Sequence, residues 1–254
     1  MVWTDLANDA HEADITARRP PGVDQYFLAD FVSVRAMSTW YMSVTRSGAQ
    51  YSYGLLLQGG NLYRHSTLTG TRRVTATKLG SGWTSFKSIA TSRYGAPAPA
   101  PAHAFLYGLN SNGNLYRYAA NGTGYRSYGV FGGFKSFKTM AVISELRAYD
   151  TLLMTTTAGA LYSIRIPVTA TAKPVVRMIR SGGWSSFESL LVDRCGSNGA
   201  SVVVGIDHNT DSGYQYGVSR MNGTATAIVS YGKVPVVFNG VTHASRTDSQ
   251  LEGD

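Results

Sequence analysis

One short cassette recurs along the chain at intervals of 51 and 50 residues, and this restricts the chain to an architecture built from serial repeats. Ser81-Gly82-Trp83-Thr84-Ser85-Phe86-Lys87-Ser88 returns as Gly132-Gly133-Phe134-Lys135-Ser136-Phe137-Lys138-Thr139, and again as Gly182-Gly183-Trp184-Ser185-Ser186-Phe187-Glu188-Ser189. Such a period means one supersecondary unit copied in series. Each copy is too small to bury its own apolar face and stacks on its neighbours.

A second signature alternates with the first. Tyr53-Gly54-Leu55 followed by Gly60-Asn61-Leu62-Tyr63-Arg64 is echoed by Tyr107-Gly108-Leu109 with Gly113-Asn114-Leu115-Tyr116-Arg117, and more faintly by Gly159-Ala160-Leu161-Tyr162-Ser163. Gly-Asn doublets favour the positive φ that tight hairpin turns need, so each echo predicts strand, turn, strand. A third β-prone run follows each hairpin (72–79, 125–131, 175–179 and 224–230), and a fourth follows each glycine-aromatic corner (86–90, 137–142, 187–192 and 236–241). Four short strands per repeat without a run at helical spacing predict an all-β chain, a β-propeller of four-stranded blades of about fifty residues.

Four hairpin units and as many as five candidate first strands favour five blades over four. Ring closure has two solutions. Either the run 236–241 pairs with the opening segment near 31–45, or an incomplete blade leaves an edge that another protein subunit covers by strand addition. The expected division is an N-terminal arm or tail over 1–30, one propeller domain over 31–244, and a C-terminal tail over 245–254 whose removal is harmless. The Ala-Pro run 96–102 is flanked by repeat strands on both sides, so it reads as a stiff loop inserted within one blade.

Charged residues make up only 15% of the chain and hydrophobic residues 43%, which suits a packed core rather than a disordered chain. No apolar run approaches the length that spans a bilayer, so membrane insertion is not expected. The single Cys195 excludes a disulfide framework and is read as a buried, inert thiol. The net charge of +8 comes from 6 lysines and 17 arginines scattered along the chain without a basic stripe. This is a general attraction to anionic surfaces and gives no reason to expect a nucleic-acid partner.

Catalytic and metal-binding patterns are thin. Asp211-Ser212-Gly213 has the residue order of a serine-protease nucleophile loop, but Thr210 and Tyr214 flank it where glycines belong, so it reads as a hairpin turn. Asp207-His208-Asn209-Thr210-Asp211 has alternating oxygen donors but lacks the glycine and distal glutamate of a calcium loop and reads as an Asx-rich turn. The five histidines are dispersed without metal-ligand spacing, and no cofactor or metal is expected. Aromatic residues at the repeat corners remain. Sugar recognition needs flat apolar faces beside amides and hydroxyls, and packing blade against blade is the competing use of the same rings.

The Gly-Gly-Trp-x-x-Phe corner in alternation with the Gly-x-Leu-Tyr hairpin resembles the tachylectin-type β-propeller lectins over roughly residues 51–240. The resemblance implies a propeller lectin without enzymatic activity, binding N-acetylated amino sugars of cell-surface glycans at one site per blade or per blade junction. Carried onto this sequence, it makes Trp83, Phe134 and Trp184 the sugar-contacting aromatics and Gly82, Gly133 and Gly183 donors of corner amides. Phe134 replaces the corner tryptophan, Tyr231-Gly232-Lys233-Val234 is a decayed fourth corner, and Ser163 stands where the hairpin arginine belongs. The leading expectation is a secreted, multivalent lectin gaining avidity from repeated weak sites, in the setting of a targeting subunit of a bacterial toxin assembly. The alternative is a protein-interaction propeller that has lost its sugar sites. Exposure or burial of Trp83 and Trp184 separates the two. A hydrolase requires titratable groups converging on the central channel, and no pairing in the sequence predicts them.

Overall fold

Glycine turns divide the chain into short extended runs, and in the computed structural model these become β-strands, with one 3-10 turn at Gly223–Ala225 among the described residues. The structure describes residues 2–5, 9–30, 34–45, 47–68, 71, 74–95, 102–195, 199–247 and 250–253. The strands in chain order are β1 (Val2–Asp5), β2 (Asp9–Thr16), β3 (Gly22–Asp30), β4 (Val34–Met37), β5 (Trp40–Val44), β6 (Gln50–Gln58), β7 (Asn61–Leu68) and β8 (Val74–Ser81). They continue as β9 (Phe86–Tyr94), β10 (His103–Asn110), β11 (Leu115–Asn121), β12 (Gly124–Phe131), β13 (Phe137–Leu146), β14 (Tyr149–Thr156), β15 (Leu161–Pro167) and β16 (Val175–Arg180). The last are β17 (Ser189–Cys195), β18 (Ala200–Asp207), β19 (Ser212–Ser219), β20 (Ala227–Lys233), β21 (Gly240–Ala244) and β22 (Arg246–Thr247).

These strands build an all-β propeller. Four sheets are four-stranded blades: β21-β1-β2-β3, β9 to β12, β13 to β16 and β17 to β20. The remaining sheet is six-stranded, ordered β22-β5-β6-β7-β8 with β4 also paired to β6. A uniform four-stranded blade therefore holds for four sheets and fails for one. There the inner strand is split at Ser38 and Thr39, where the Leu55 amide donates to the Ser38 hydroxyl instead of to a backbone carbonyl. The innermost strands close a circle, β4 against β9, β9 against β13, β13 against β17, β17 against β21, and β21 against β4.

The repeat signatures are hooked together by the backbone. The Gly60, Gly113 and Gly159 carbonyls of the hairpins accept from the Trp83, Phe134 and Trp184 amides of the following corners at 3.0, 2.9 and 3.0 Å. The decayed fourth corner keeps this geometry, with the Val234 amide donating to Gly213 O at 2.8 Å and Gly232 at φ +105°. The tight glycine of each Tyr-Gly-Leu echo has a packing reason. A Cβ on Gly54 would lie 2.8 Å from the Trp40 ring, and one on Gly108 would lie 2.7 Å from Phe86.

Ring closure corrects three expectations. The closing strand is β21, and it pairs with β1 in the register Val2↔Ala244 and Trp3↔His243 rather than with 31–45. Residues 1–30, expected to be an arm or tail, supply three blade strands, because only an opening strand beside β21 satisfies that strand's ladder. The chain seals its own seam, and no partner subunit is needed there. Residues 245–254 are not a dispensable tail either. β22 pairs in parallel with β5, and beyond it the chain runs to β13, where the Glu145 amide donates to Leu251 O at 2.8 Å and the Gly253 amide donates to Ile143 O at 3.0 Å. Leu251 is fully buried. The Ala-Pro insertion over 96–101 lies outside the described residues, between β9 and β10 of one blade.

Candidate functional site

The corner aromatics do not form sugar platforms. Trp83, Phe134 and Trp184 are only 7, 3 and 5% exposed. Each ring is packed against the cassette phenylalanine, and two also meet a tyrosine of the third strand: Trp83 lies 5.2 Å from Tyr118 and Trp184 lies 4.9 Å from Tyr216, centroid to centroid. A ring buried on both faces has no face left for a saccharide, so these positions are core. Gly82, Gly133 and Gly183 adopt φ of +85°, +91° and +90° with open space where a Cβ would stand, so it is the backbone turn, not close packing, that calls for glycine there.

A cleft lies between the six-stranded sheet and the β9–β12 blade. It encloses about 310 Å³ and is lined by Tyr41, Tyr53 and Tyr125, by Arg64 and Arg93, and by hydroxyls including Thr39 and Thr91. Tyr41 and Tyr53 face each other from paired positions on β5 and β6, with ring centroids 6.2 Å apart. The Arg93 guanidinium lies over both rings, 5.1 Å from the Tyr41 centroid and 5.3 Å from that of Tyr53. Arg64, the hairpin arginine of this sheet, donates to Thr123 O at 3.0 Å from the cleft wall.

The next boundary in the ring shows why this cleft is open. Arg117 is the equivalent hairpin arginine of the β9–β12 blade, and it is fully buried. Its guanidinium donates to Pro167 O and Thr169 O at 2.5 and 2.8 Å and is surrounded by Phe105, Tyr128 and Phe131. Arg117 fills its boundary, whereas Arg64 leaves space beside the tyrosines. At the boundary after β13–β16, where Ser163 replaces the arginine, the bridging role passes to the outer strand: Arg177 donates to Asn222 Oδ1 at 2.9 Å and Arg180 to Thr226 O at 3.0 Å.

A second cavity of about 170 Å³ follows the propeller axis and is lined from all the innermost strands. Around it, Arg35 donates to Trp83 O at 3.0 Å, Lys87 to Phe137 O at 2.9 Å, and Lys138 to Ser185 O at 2.5 Å, each cation reaching the following blade. Lys138 also meets Glu188 at 3.2 Å, and His208 and His243 lie 5.1 Å apart in the same wall. Burial pushes both imidazoles below their ordinary pKa, His243 well below, so they stand neutral there. Titratable groups from separate blades do converge on the axis, because each cassette carries a charged residue immediately after its phenylalanine and the ring brings those positions together.

The remaining sequence candidates settle into structural places. Asp207–Asp211 is the β18–β19 turn, with the Asn209 amide donating to Asp207 Oδ1 at 2.9 Å, an Asx turn. Cys195 ends β17 and is half-buried. Among the described residues no group of three or more His, Cys, Asp or Glu is arranged to hold a metal ion.

No family model matches this sequence, and no curated protein does. Among solved structures the chain is similar to a GH62 α-L-arabinofuranosidase from Podospora anserina in complex with cellotriose, with a TM-score of 0.54 and 14% identity over 87% of this chain and 80% of that one. It is similar to SapL1 lectin in complex with alpha methyl fucoside, with a TM-score of 0.54 and 10% identity over 93% of this chain and 77% of that one. It is also similar to the Aleuria aurantia lectin in complex with Fucalpha1-6GlcNAc, with a TM-score of 0.51 and 11% identity over 94% of this chain and 78% of that one.

One expectation is overturned here. The chain was expected to have no enzymatic activity, yet glycoside hydrolases share its architecture, and titratable side chains meet at its axis. A propeller places residues from every blade around one channel, so the fold serves chemistry as readily as binding. The likeness at this identity is one of fold, and it places the chain among the all-β propellers.

Proposed function

We propose that this protein binds carbohydrate, and that the cleft between the six-stranded sheet and the β9–β12 blade is where it does so. The observation that carries the reading is the lining of that cleft, in which the half-buried Tyr53 and Tyr125 stand beside arginines and hydroxyls in about 310 Å³, with the buried Tyr41 packed against Tyr53. Tyrosine rings suit the C–H faces of a sugar, and guanidiniums and hydroxyls suit its oxygens. The volume is at the lower end of the roughly 300–1,000 Å³ of ligand sites, which fits one or two sugar rings. Lectins and glycoside hydrolases among propellers of the same architecture support a saccharide as the ligand class.

In this reading the six-stranded sheet serves as the fifth blade of the ring, and cell-surface glycans are the partners. N-acetylated amino sugars, implied by the tachylectin-type resemblance, are one class to be tried. Multivalency from the corner residues is not retained, because their rings are buried.

The test is a glycan array followed by titration calorimetry with the best ligand. Tyr53→Ala should weaken binding about tenfold, the loss of one aromatic contact, with Tyr53→Phe largely restoring it. Binding that is unchanged in both Tyr53→Ala and Tyr125→Ala moves the site elsewhere, and a folded protein silent on the array sinks the reading.

A further inference from the structure

The charges of the same cleft define its ligand more narrowly. Two guanidiniums enter it, Arg64 from β7 and Arg93 from β9, and no aspartate or glutamate is among the residues that line it. Neither arginine has an ion pair among the described residues. Burial raises the Tyr125 hydroxyl, and the charges of both arginines oppose that rise. Two like charges facing one partly buried space repel unless an anion stands between them.

The two arginines are also arranged to receive a planar anion. Arg93 lies over the Tyr41 and Tyr53 rings, at 5.1 and 5.3 Å, and its side-chain N–H groups make no hydrogen bond among the described residues. Arg64 commits one Nη2 bond, to Thr123 O at 3.0 Å, and retains the rest of its fork. Arg117 gives the contrast within the same molecule. Both of its terminal nitrogens are consumed by backbone carbonyls, at 2.5 and 2.8 Å, and it is closed off from solvent. One hairpin arginine is built as a strut, and its counterpart is left with donors to spare.

We propose that the saccharide bound here is acidic: a sugar whose ring carboxylate is held between Arg64 and Arg93 while its apolar face rests on Tyr53 and Tyr125. The proposal rests on the carbohydrate reading. A carboxylate matches a guanidinium fork with two parallel hydrogen bonds, a geometry that a hydroxyl or an N-acetyl group does not offer.

The experiment is calorimetry with tri-galacturonic acid and with sialyllactose, each against its own carboxyl methyl ester, at 50 and 300 mM salt. The free acids are expected to bind about tenfold or more tightly than the esters, on the scale of hydrogen bonds to charged groups, with the advantage reduced at the higher salt. Arg93→Gln should bring the acid-to-ester ratio to about one, and Arg93→Lys should restore only part of the ratio. If Arg93→Gln lowers the melting temperature, Arg64→Gln reads the same ratio. Equal binding of acid and ester overturns the acidic specificity and leaves the carbohydrate reading standing. Binding of neither overturns the acidic specificity and leaves the carbohydrate reading to the array, whereas displacement of the acid by inorganic phosphate at equal concentration overturns both, since it marks an anion site without sugar recognition.

Discussion

The Tyr41 hydroxyl stands 2.8 Å from Glu145 Oε1, linking β5 to β13 although the β9–β12 blade lies between their sheets in the ring. The same carboxyl accepts from the Arg93 amide at 2.9 Å and from the Leu251 amide at 3.1 Å. One acid thus ties the six-stranded sheet, two blades and the C-terminal segment together, directly behind the proposed sugar cleft.

Burial raises Glu145 from 4.5 to about 7, and the hydrogen bonds it accepts only partly oppose this. The folded state therefore holds the proton more tightly than the unfolded chain. The stabilisation is fully present below pH 4.5 and is lost as pH rises to about 7. His65 acts in the opposite sense. Burial lowers it from 6.5 to about 4, so its contribution is lost as pH falls through that window. The difference between wild type and Glu145→Gln isolates the acid: the variant should be relatively more stable at pH 8 than at pH 5, by a change on the order of 3 kcal/mol across the window. Urea midpoints at the two pH values measure it, and parallel pH profiles for the two proteins would remove Glu145 from the account.

Leu251 is 0% exposed, and its neighbour Gln250 donates from Nε2 to Glu145 O at 2.8 Å. Leu251→Ala should cost about 2–5 kcal/mol, as for other buried leucines. Removing 250–254 should cost at least as much, since it also strips the Leu251 amide from the Glu145 carboxyl. Chemical denaturation reads both, and a truncated chain with an unchanged midpoint would show the segment to be idle.

The parts of the fold that were legible in the sequence are those with a local physical requirement. Gly82, Gly133 and Gly183 need positive φ, and Gly108 must let Phe86 approach, so cassette and hairpin can be read without knowing what surrounds them. The closing blade was not legible, because β1 to β3 carry no cassette and their partner β21 lies at the other end of the chain. The cleft escaped for a similar reason. Tyr41 and Arg93 come from β5 and β9 with nothing in their neighbourhood to mark them, and Tyr53 of β6 stands in the Tyr-Gly-Leu echo, where its counterpart Tyr107 is fully buried. A usable signal was the contrast between Arg64 and Arg117 at matching positions, but which of them stays open depends on the carbonyls of Pro167 and Thr169 in the next blade. The sequence does not separate a packed corner tryptophan from an open one, because a ring beside a glycine turn reads alike whether Tyr118 and Tyr216 cover it or not.

Trp184 is therefore a stability residue. It is 5% exposed, with Phe187 and Tyr216 at 5.5 and 4.9 Å. Trp184→Ala should cost about 3–5 kcal/mol while the remaining folded protein binds its ligand with unchanged affinity at low temperature. A variant that keeps its melting temperature and loses ligand would return this ring to the binding surface.

Arg117 and Arg64 offer the sharpest comparison, since one sequence position is used in two ways. Arg117 is buried with its charge spread over Phe105, Tyr128 and Phe131, and its two terminal nitrogens hold the Pro167 and Thr169 carbonyls of the following blade. Arg117→Met keeps the aliphatic stem but removes both bonds to the following blade and the cation held among the three rings, at a cost of about 2–4 kcal/mol. Arg64→Met removes one hydrogen bond at the edge of an open cleft and should cost less than about 1 kcal/mol, while abolishing any preference for acidic over neutral sugars. Urea denaturation of the two variants beside wild type decides the point. Equal destabilisation by both would mean that Arg64 is also a strut, and that the cleft beside it is a gap in the packing rather than a place for a ligand.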